Sequence, residues 1–295
     1  MDAETELSPV TVETRLAALE AAVVRLRSIV EPSFTVSNMA APVAAASLKE
    51  ASQHEFSGKF FALLDLGETL LKYSAAIAFA AVAEGSDAGA VDEVMALFKQ
   101  PPTLGKIAGG LRDVLNKTPQ IDWPLDAVSA TFRRPNKKPT STARYLLDEF
   151  ISIRNDERGH GAHQPEGYYE SLYLKNSLII QDCVTASTYI QLPLINVHAV
   201  DHYNGKYSYK VTLLMGGAAS RMEEPIVTTE RVRAGSTCLW DRGVRLFPLG
   251  EFLMYRYCNV CTTEHIFFAE QITDDRIYLH SYIGNHRIDI PRTEQ

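Results

Sequence analysis

From His54 to Ala83, apolar residues recur at three- and four-residue steps: Phe56, Phe60, Leu63, Leu64, Leu70, Leu71, Ile77 and Phe79. This spacing predicts a long helix with a broad apolar stripe, stopped by Glu84-Gly85-Ser86. A second helix is predicted over 88–99 from Val91, Val94, Met95 and Phe98. A third is predicted to start at Pro101-Pro102, proline being favourable at a first helical position, with Leu104, Ile107, Leu111, Val114 and Leu115 on one face. Residues 124–132 read as one more short helix. Beyond the basic, proline-broken FRRPNKKPTSTAR (132–144), a helix is predicted from Ser141 or Thr142, with Tyr145, Leu146, Phe150 and Ile153 inward and Gly159 as its stop or kink. Glu166 to Ala186 completes the helical half.

After residue 187 the period shortens to two. Asn204-Gly205 between two strand-like runs is a strong hairpin signal. Further strands are predicted at 225–233, 236–240, 243–247, 252–258, 264–270 and 276–283. The order of elements therefore predicts an α+β protein: an all-α helical bundle followed by an antiparallel β module.

The N-terminal residues read differently. Over 12–30, Leu16, Leu19, Val23, Leu26 and Val30 form an a/d seam of under three heptads, either a helix packed on its own domain or a coiled-coil-like pairing of protomers. Residues 31–48 carry two prolines and many small side chains and read as a linker. The expected organisation is thus 1–48 for the pairing helix and linker, 49–187 for the helical domain and 188–295 for the β-rich domain.

Composition narrows the functional classes. A net charge of −7 over 295 residues argues against a protein that coats nucleic acid along its whole surface, but leaves room for a local basic site. The acidic start MDAETELSPV is not a signal peptide, and the most apolar run, Tyr73–Ala83, is too short for a membrane span. A cytoplasmic protein with no membrane partner and reduced cysteines is expected.

One stretch carries candidate chemistry: IRNDERGHG, residues 153–161, at the end of the helix from Ser141. Arg154 followed by Asn155, with His160 six positions after the arginine, resembles the Arg-x4–6-His motif of the HEPN superfamily, over roughly residues 50–187. The resemblance implies a helical domain that dimerises to form a composite cleft and cleaves RNA without a metal, in a bacterial toxin or antiviral defence setting. On that reading His160 is the acid/base, because an imidazole titrates near neutrality. Arg154 clamps the phosphate with its planar fork, and Asn155 orients phosphate or imidazole. In an unbroken helix, residues 154 and 160 lie about 120° apart, so a bend at Gly159 would help them converge. A tyrosine used in regulation by some members, two residues after the histidine, is Ala162 here, and that role is not carried over.

The surroundings are locally basic. Between Phe132 and His160 seven Lys or Arg (133, 134, 137, 138, 144, 154, 158) stand against four acids, an excess of +3 able to steer a phosphate backbone. Arg133, Arg134, Lys137, Lys138 and Arg158 are the expected RNA-binding residues. The competing view makes 156–158 a solvated helix end with His160 as its cap.

A second candidate is Cys258-Asn259-Val260-Cys261, a C-x-x-C between strands able to grip zinc through two thiolates. No second C-x-x-C exists, so further ligands (Cys238, His265, His280 or His286) would have to arrive through the fold; the alternative is a pair of reduced cysteines and no cofactor. His160/His163 and His198/His202 are weaker pairs, the latter read as surface histidines on a strand. Gly109-Gly110 and Gly216-Gly217 are not phosphate loops. Trp123 and Trp240 read as core or domain-contact residues. The β-rich part resembles a module found behind such helical domains in bacterial proteins, with no chemistry attached. It leaves a second functional expectation open: a non-catalytic dimeric adaptor or sensor whose sheet binds a protein partner or small ligand.

Overall fold

The structure, a computed structural model, describes residues 35–85, 87–118, 122–134, 136, 138–159, 164–282 and 286–292. The pairing seam over 12–30 lies outside them, as do Lys137 and 160–163.

Helix α2 (Phe56–Ala83) is apolar around most of its circumference: Phe60, Leu63, Leu64, Leu70, Leu71, Tyr73, Ile77 and Phe79 are all buried. Such a helix needs cover on several sides. It gets it from α1 (Ala41–Ala51), α3 (Ala88–Phe98), α4 (Leu104–Lys117), α5 (Leu125–Phe132) and α8 (Glu166–Ala186). By length and composition α2 could cross a membrane, yet 78% of its most apolar window is buried within the protein. The caps match local chemistry. Asp87 accepts from Gly89 N and Ala90 N at the start of α3, and Thr103 accepts from Lys106 N at the start of α4.

Helix α1 corrects the expectation of a linker through residue 48. Pro42 sits in its first turn, where a missing N–H costs nothing, and Ala41, Val43, Ala44 and Ala46 are buried. Alanines that look structureless in the sequence are good helix formers, and their small side chains let α1 lie close to α2.

The helix from Ser141 forms in three pieces: α6 (Ser141–Arg144), a π-type turn (Tyr145–Glu149) and α7 (Phe150–Gly159). Thr140 caps it by accepting from Ala143 N. The Phe150 N–H donates to the Tyr145 carbonyl, and the two rings lie 6.3 Å apart, tilted by 44°. Phe150 packs on Gly67 of α2 so closely that a Cβ there would lie 2.6 Å from its ring.

Two antiparallel sheets make up the rest. β1 (Leu194–Tyr203) and β2 (Lys206–Met215) form the predicted hairpin, with positive φ at Asn204 (51°) and Gly205 (73°), as a tight turn of this hand requires. The first sheet runs β3-β2-β1-β5-β6, with β3 (Ala218–Arg221), β5 (Thr237–Trp240) and β6 (Leu246–Pro248); β4 (Ile226–Thr228) also pairs with β2. Ile195, Val197, Tyr209, Val211 and Cys238 fill its core. The second sheet is a meander, β10-β9-β8-β7, from β7 (Leu253–Cys258), β8 (Thr263–Ile272), β9 (Arg276–Ser281) and β10 (Arg287–Pro291). The α+β class is as expected. β3 and β10 are additions, and only 226–228 of the expected strand at 225–233 is one.

Residues 36–295 form a single compact unit, so the change of period at 187 marks a change of element type within it. Phe79 of α2, Phe98 of α3 and Phe252 before β7 pack with ring centroids 5.4–5.8 Å apart. Trp123 meets Phe247 edge-on at 6.2 Å. Backbone bonds add to this: Gly216 N donates to Met39 O at 2.8 Å and Ala40 N to Ile190 O at 2.7 Å. Phe252→Ala should therefore cost about 3–5 kcal/mol through loss of burial and a residual cavity. In urea its far-ultraviolet circular dichroism and tryptophan fluorescence should shift together to a lower midpoint, as one cooperative transition.

Candidate functional site

On α7, one helical turn beyond the Phe150–Gly67 contact, Arg154 reaches Glu68 of α2, its Nε donating to Oε2 at 3.1 Å. Its Nη1 also meets Oδ1 of the neighbouring Asn155 at 3.4 Å, while Asn155 itself is exposed. Another turn along, Arg158 pairs with Asp65. The two acids are themselves shared: Lys49 of α1 bonds Asp65 at 2.6 Å and Lys72 bonds Glu68 at 2.7 Å. Four cations from three helices thus surround two carboxylates.

This cluster forms one wall of a cleft of about 350 Å³, lined by Lys49, Asp65, Glu68, Lys72 and Arg158 from the helices and by Phe268, His280, Ser281 and Tyr282 from the second sheet. Tyr282 also donates to Ala41 O at 3.3 Å, tying that sheet to the start of α1. Burial pushes the Glu68 carboxyl up, but Lys72 and then Arg154 and Arg158 outweigh it, leaving its pKa below the ordinary value of 4.5. A carboxylate held in this way keeps its charge and fixes the arginine beside it.

The structure separates the expected RNA-binding residues. Arg158 lies at the cleft, whereas Arg133 donates to the Leu115 carbonyl, and Arg134 N bonds Lys138 O in the loop before Ser141. The helical run from Ser141 to Gly159 spans about 28 Å at 1.5 Å per residue, with that basic loop at one end and Arg158 at the other. The acids at 156 and 157 are engaged locally: Glu157 accepts from Tyr168 at 2.6 Å and Asp156 from Ser152 at 3.5 Å. His160 and Lys137 fall outside the described residues.

The second candidate gathers more than the sequence motif contained. Cys258 closes β7 and is buried, and Cys261 sits in the turn to β8, where Thr262 adopts a positive φ of 57°. His286, entering β10, lies with its Nδ1 3.6 Å from the Cys258 sulfur. The ligand atoms of Cys258, Cys261 and His286 all lie within 4.8 Å of one another, so this cluster could hold a metal ion. His265 of β8 places Nε2 2.7 Å from the Cys261 sulfur. The Thr263 hydroxyl first, then Cys258, His286 and His265, hold the Cys261 thiol at about 6, against an ordinary 9.0. Cys238 is buried in the first sheet's core, away from this group, and burial pushes its thiol up. Cys183 is likewise buried and pushed up to about 12.

His198 meets the Thr212 hydroxyl, and the His202 ring packs on Tyr207 at 4.6 Å; both lie on the exposed end of β1, as ordinary sheet surface. Lys49, Asp65, Glu68 and Lys72 were not singled out by the sequence reading. The i,i+4 pair Glu68/Lys72, set into an apolar helix, was the signal available for two of them. Comparison of the chain with protein-family models, curated proteins and solved structures finds no match.

The depressed Glu68 pKa has a definite sign in stability. Its contribution is complete above 4.5, the ordinary value, and is lost as pH falls through the lower folded-state pKa. Glu68→Gln should be less stable at neutral pH by about 1–3 kcal/mol, having left Arg154 and Lys72 short of a partner. It should also show a shallower loss of stability than wild type in urea titrations run below pH 4.5.

Proposed function

We propose that the protein is a metal-independent endoribonuclease of HEPN type, acting as a homodimer. The observation that carries this reading is the presentation of Arg154 by Glu68 within a cluster of four cations and two carboxylates, part of it lining an open cleft. That arrangement leaves two positive charges in excess, suited to a phosphodiester. Arg154 holds a phosphate oxygen, with Asn155 as orienter. His160 takes the proton of the ribose 2′-hydroxyl. The 2′-oxygen attacks phosphorus, the bond from phosphorus to the 5′-oxygen breaks, and that oxygen is protonated as it leaves. The products are a 2′,3′-cyclic phosphate and a 5′-hydroxyl. Arg158, with Arg133, Arg134, Lys137 and Lys138 further along, binds the flanking backbone. A role in toxin or antiviral defence goes with this reading.

A second reading is favoured by the same ion pairs: both Arg154 and Arg158 are already matched to carboxylates, as in a structural cluster. The protein is then a dimeric adaptor or sensor whose sheets bind a partner. Total RNA incubated without added divalent metal separates the two. In the nuclease reading, wild type yields cyclic-phosphate ends and His160→Ala cuts the rate by about 10²–10⁴ with its melting temperature unchanged. In the adaptor reading no variant cleaves, and Arg154→Ala lowers the melting temperature.

For the second cluster we infer zinc. Thiolate and imidazole donors select it, and the 3.6 Å between Cys258 sulfur and His286 nitrogen fits a tetrahedral site. With Zn–S near 2.3 Å and Zn–N near 2.0–2.1 Å, two such ligands stand roughly 3.6 Å apart.

A further inference from the structure

Cys258, Cys261 and His286 offer three ligands, and the fourth position decides what the ion does. Three protein ligands leave a place for water and hence for hydrolytic chemistry, whereas four close the site and make the ion a staple. The register of the β7–β8 hairpin bears directly on this choice. Cys258 pairs with Thr263 and Arg256 with His265, so Cys258 and His265 lie on the same face of the hairpin, two positions apart along it. His265 Nε2 already contacts the Cys261 sulfur at 2.7 Å and the Thr263 hydroxyl at 2.7 Å. His265 lies outside the group whose ligand atoms are all within 4.8 Å of one another, so sharing an ion would open its distance to Cys261 by roughly 0.9 Å and swing its ring toward Cys258 and His286.

We infer that His265 is the fourth ligand, giving a closed Cys2His2 zinc site from Cys258, Cys261, His265 and His286; this rests on the zinc reading above. The topology gives the site a purpose. In the order β10-β9-β8-β7, His286 stands at the entry to β10 on the edge opposite β7, and Ser281 N bonds its carbonyl at 2.8 Å. β9 ends at Ser281 opposite Phe267, so the registered β8–β9 pairing stops short of residues 263–266 at the start of β8. An ion at this point joins the chain leaving β9 to the turn between β7 and β8. It fixes one end of the sheet whose Ser281 and Tyr282 line the cleft.

Protein purified without chelator should contain one zinc per chain by elemental analysis. Cobalt exchanged into it should give thiolate-to-cobalt charge-transfer bands and the intense visible bands of four-coordinate cobalt. His265→Ala should lower zinc affinity by at least about tenfold in chelator competition and move the cobalt bands toward a water-bearing site. His265→Cys should keep the metal and strengthen the charge-transfer band, which guards against simple misfolding of the alanine variant. Cys258→Ser should remove the metal, and His202→Ala should change nothing. A wild type free of zinc even after reconstitution overturns the zinc reading itself. Zinc that binds wild type and His265→Ala with equal affinity and identical cobalt spectra overturns only the assignment of His265, leaving a three-ligand open site.

Discussion

A helix enclosed on several sides leaves little room for polar groups, and those it carries are matched within the protein with the exception of the buried Tyr73 hydroxyl. Helix α2 sets this condition for the chain. Ser74, fully buried, bonds the Leu70 carbonyl at 2.7 Å and shares a hydrogen bond with the Tyr189 hydroxyl at 2.5 Å. Asp65 and Glu68 emerge where the cover is incomplete, and each meets two cations. Leaving a buried polar group unmatched would cost about 1–3 kcal/mol, more for a charge, which is why these residues determine what lies next to them. The cleft is therefore a by-product of where the cover of α2 ends.

Much of the scaffold was legible because the local signals agree with one another. The α2 stripe and the Asn204-Gly205 turn each specify one outcome, and the helix at Glu166–Ala186 appears where its period placed it, whereas the third helix starts at Leu104 behind a Thr103 cap and not at Pro101-Pro102. α1 was misread because proline and small residues suggested a break, whereas Pro42 occupies a first turn and Ala41, Ala44 and Ala46 are buried. β3 has no buried face and so no alternation to detect, and β10 is a half-buried edge strand.

The candidate sites were legible in part, for a different reason. Arg154 and the C-x-x-C pair are local patterns, visible within a few residues. Glu68 lies 86 positions before Arg154 in the chain, and His286 lies 28 after Cys258, so only folding joins them. The basic run from 133 to 158 misled in the opposite direction: contiguous in sequence, it is spread along a helix so that its two ends serve different surroundings.

The π-type turn at Tyr145–Glu149 acts as a phase adjuster. In an uninterrupted α-helix, residues 145 and 150 would point about 140° apart. The wider turn narrows that angle, and Tyr145 bonds Asn176 of α8 at 2.8 Å while Phe150 seats on Gly67. Everything downstream inherits that angle. The wider turn takes up one extra residue, so deleting one residue there would let the run close as a continuous α-helix with Arg154 still facing α2. The phase of the helix that carries Arg154 is thus buffered nine residues upstream of it, by a turn able to absorb a change of one residue in length.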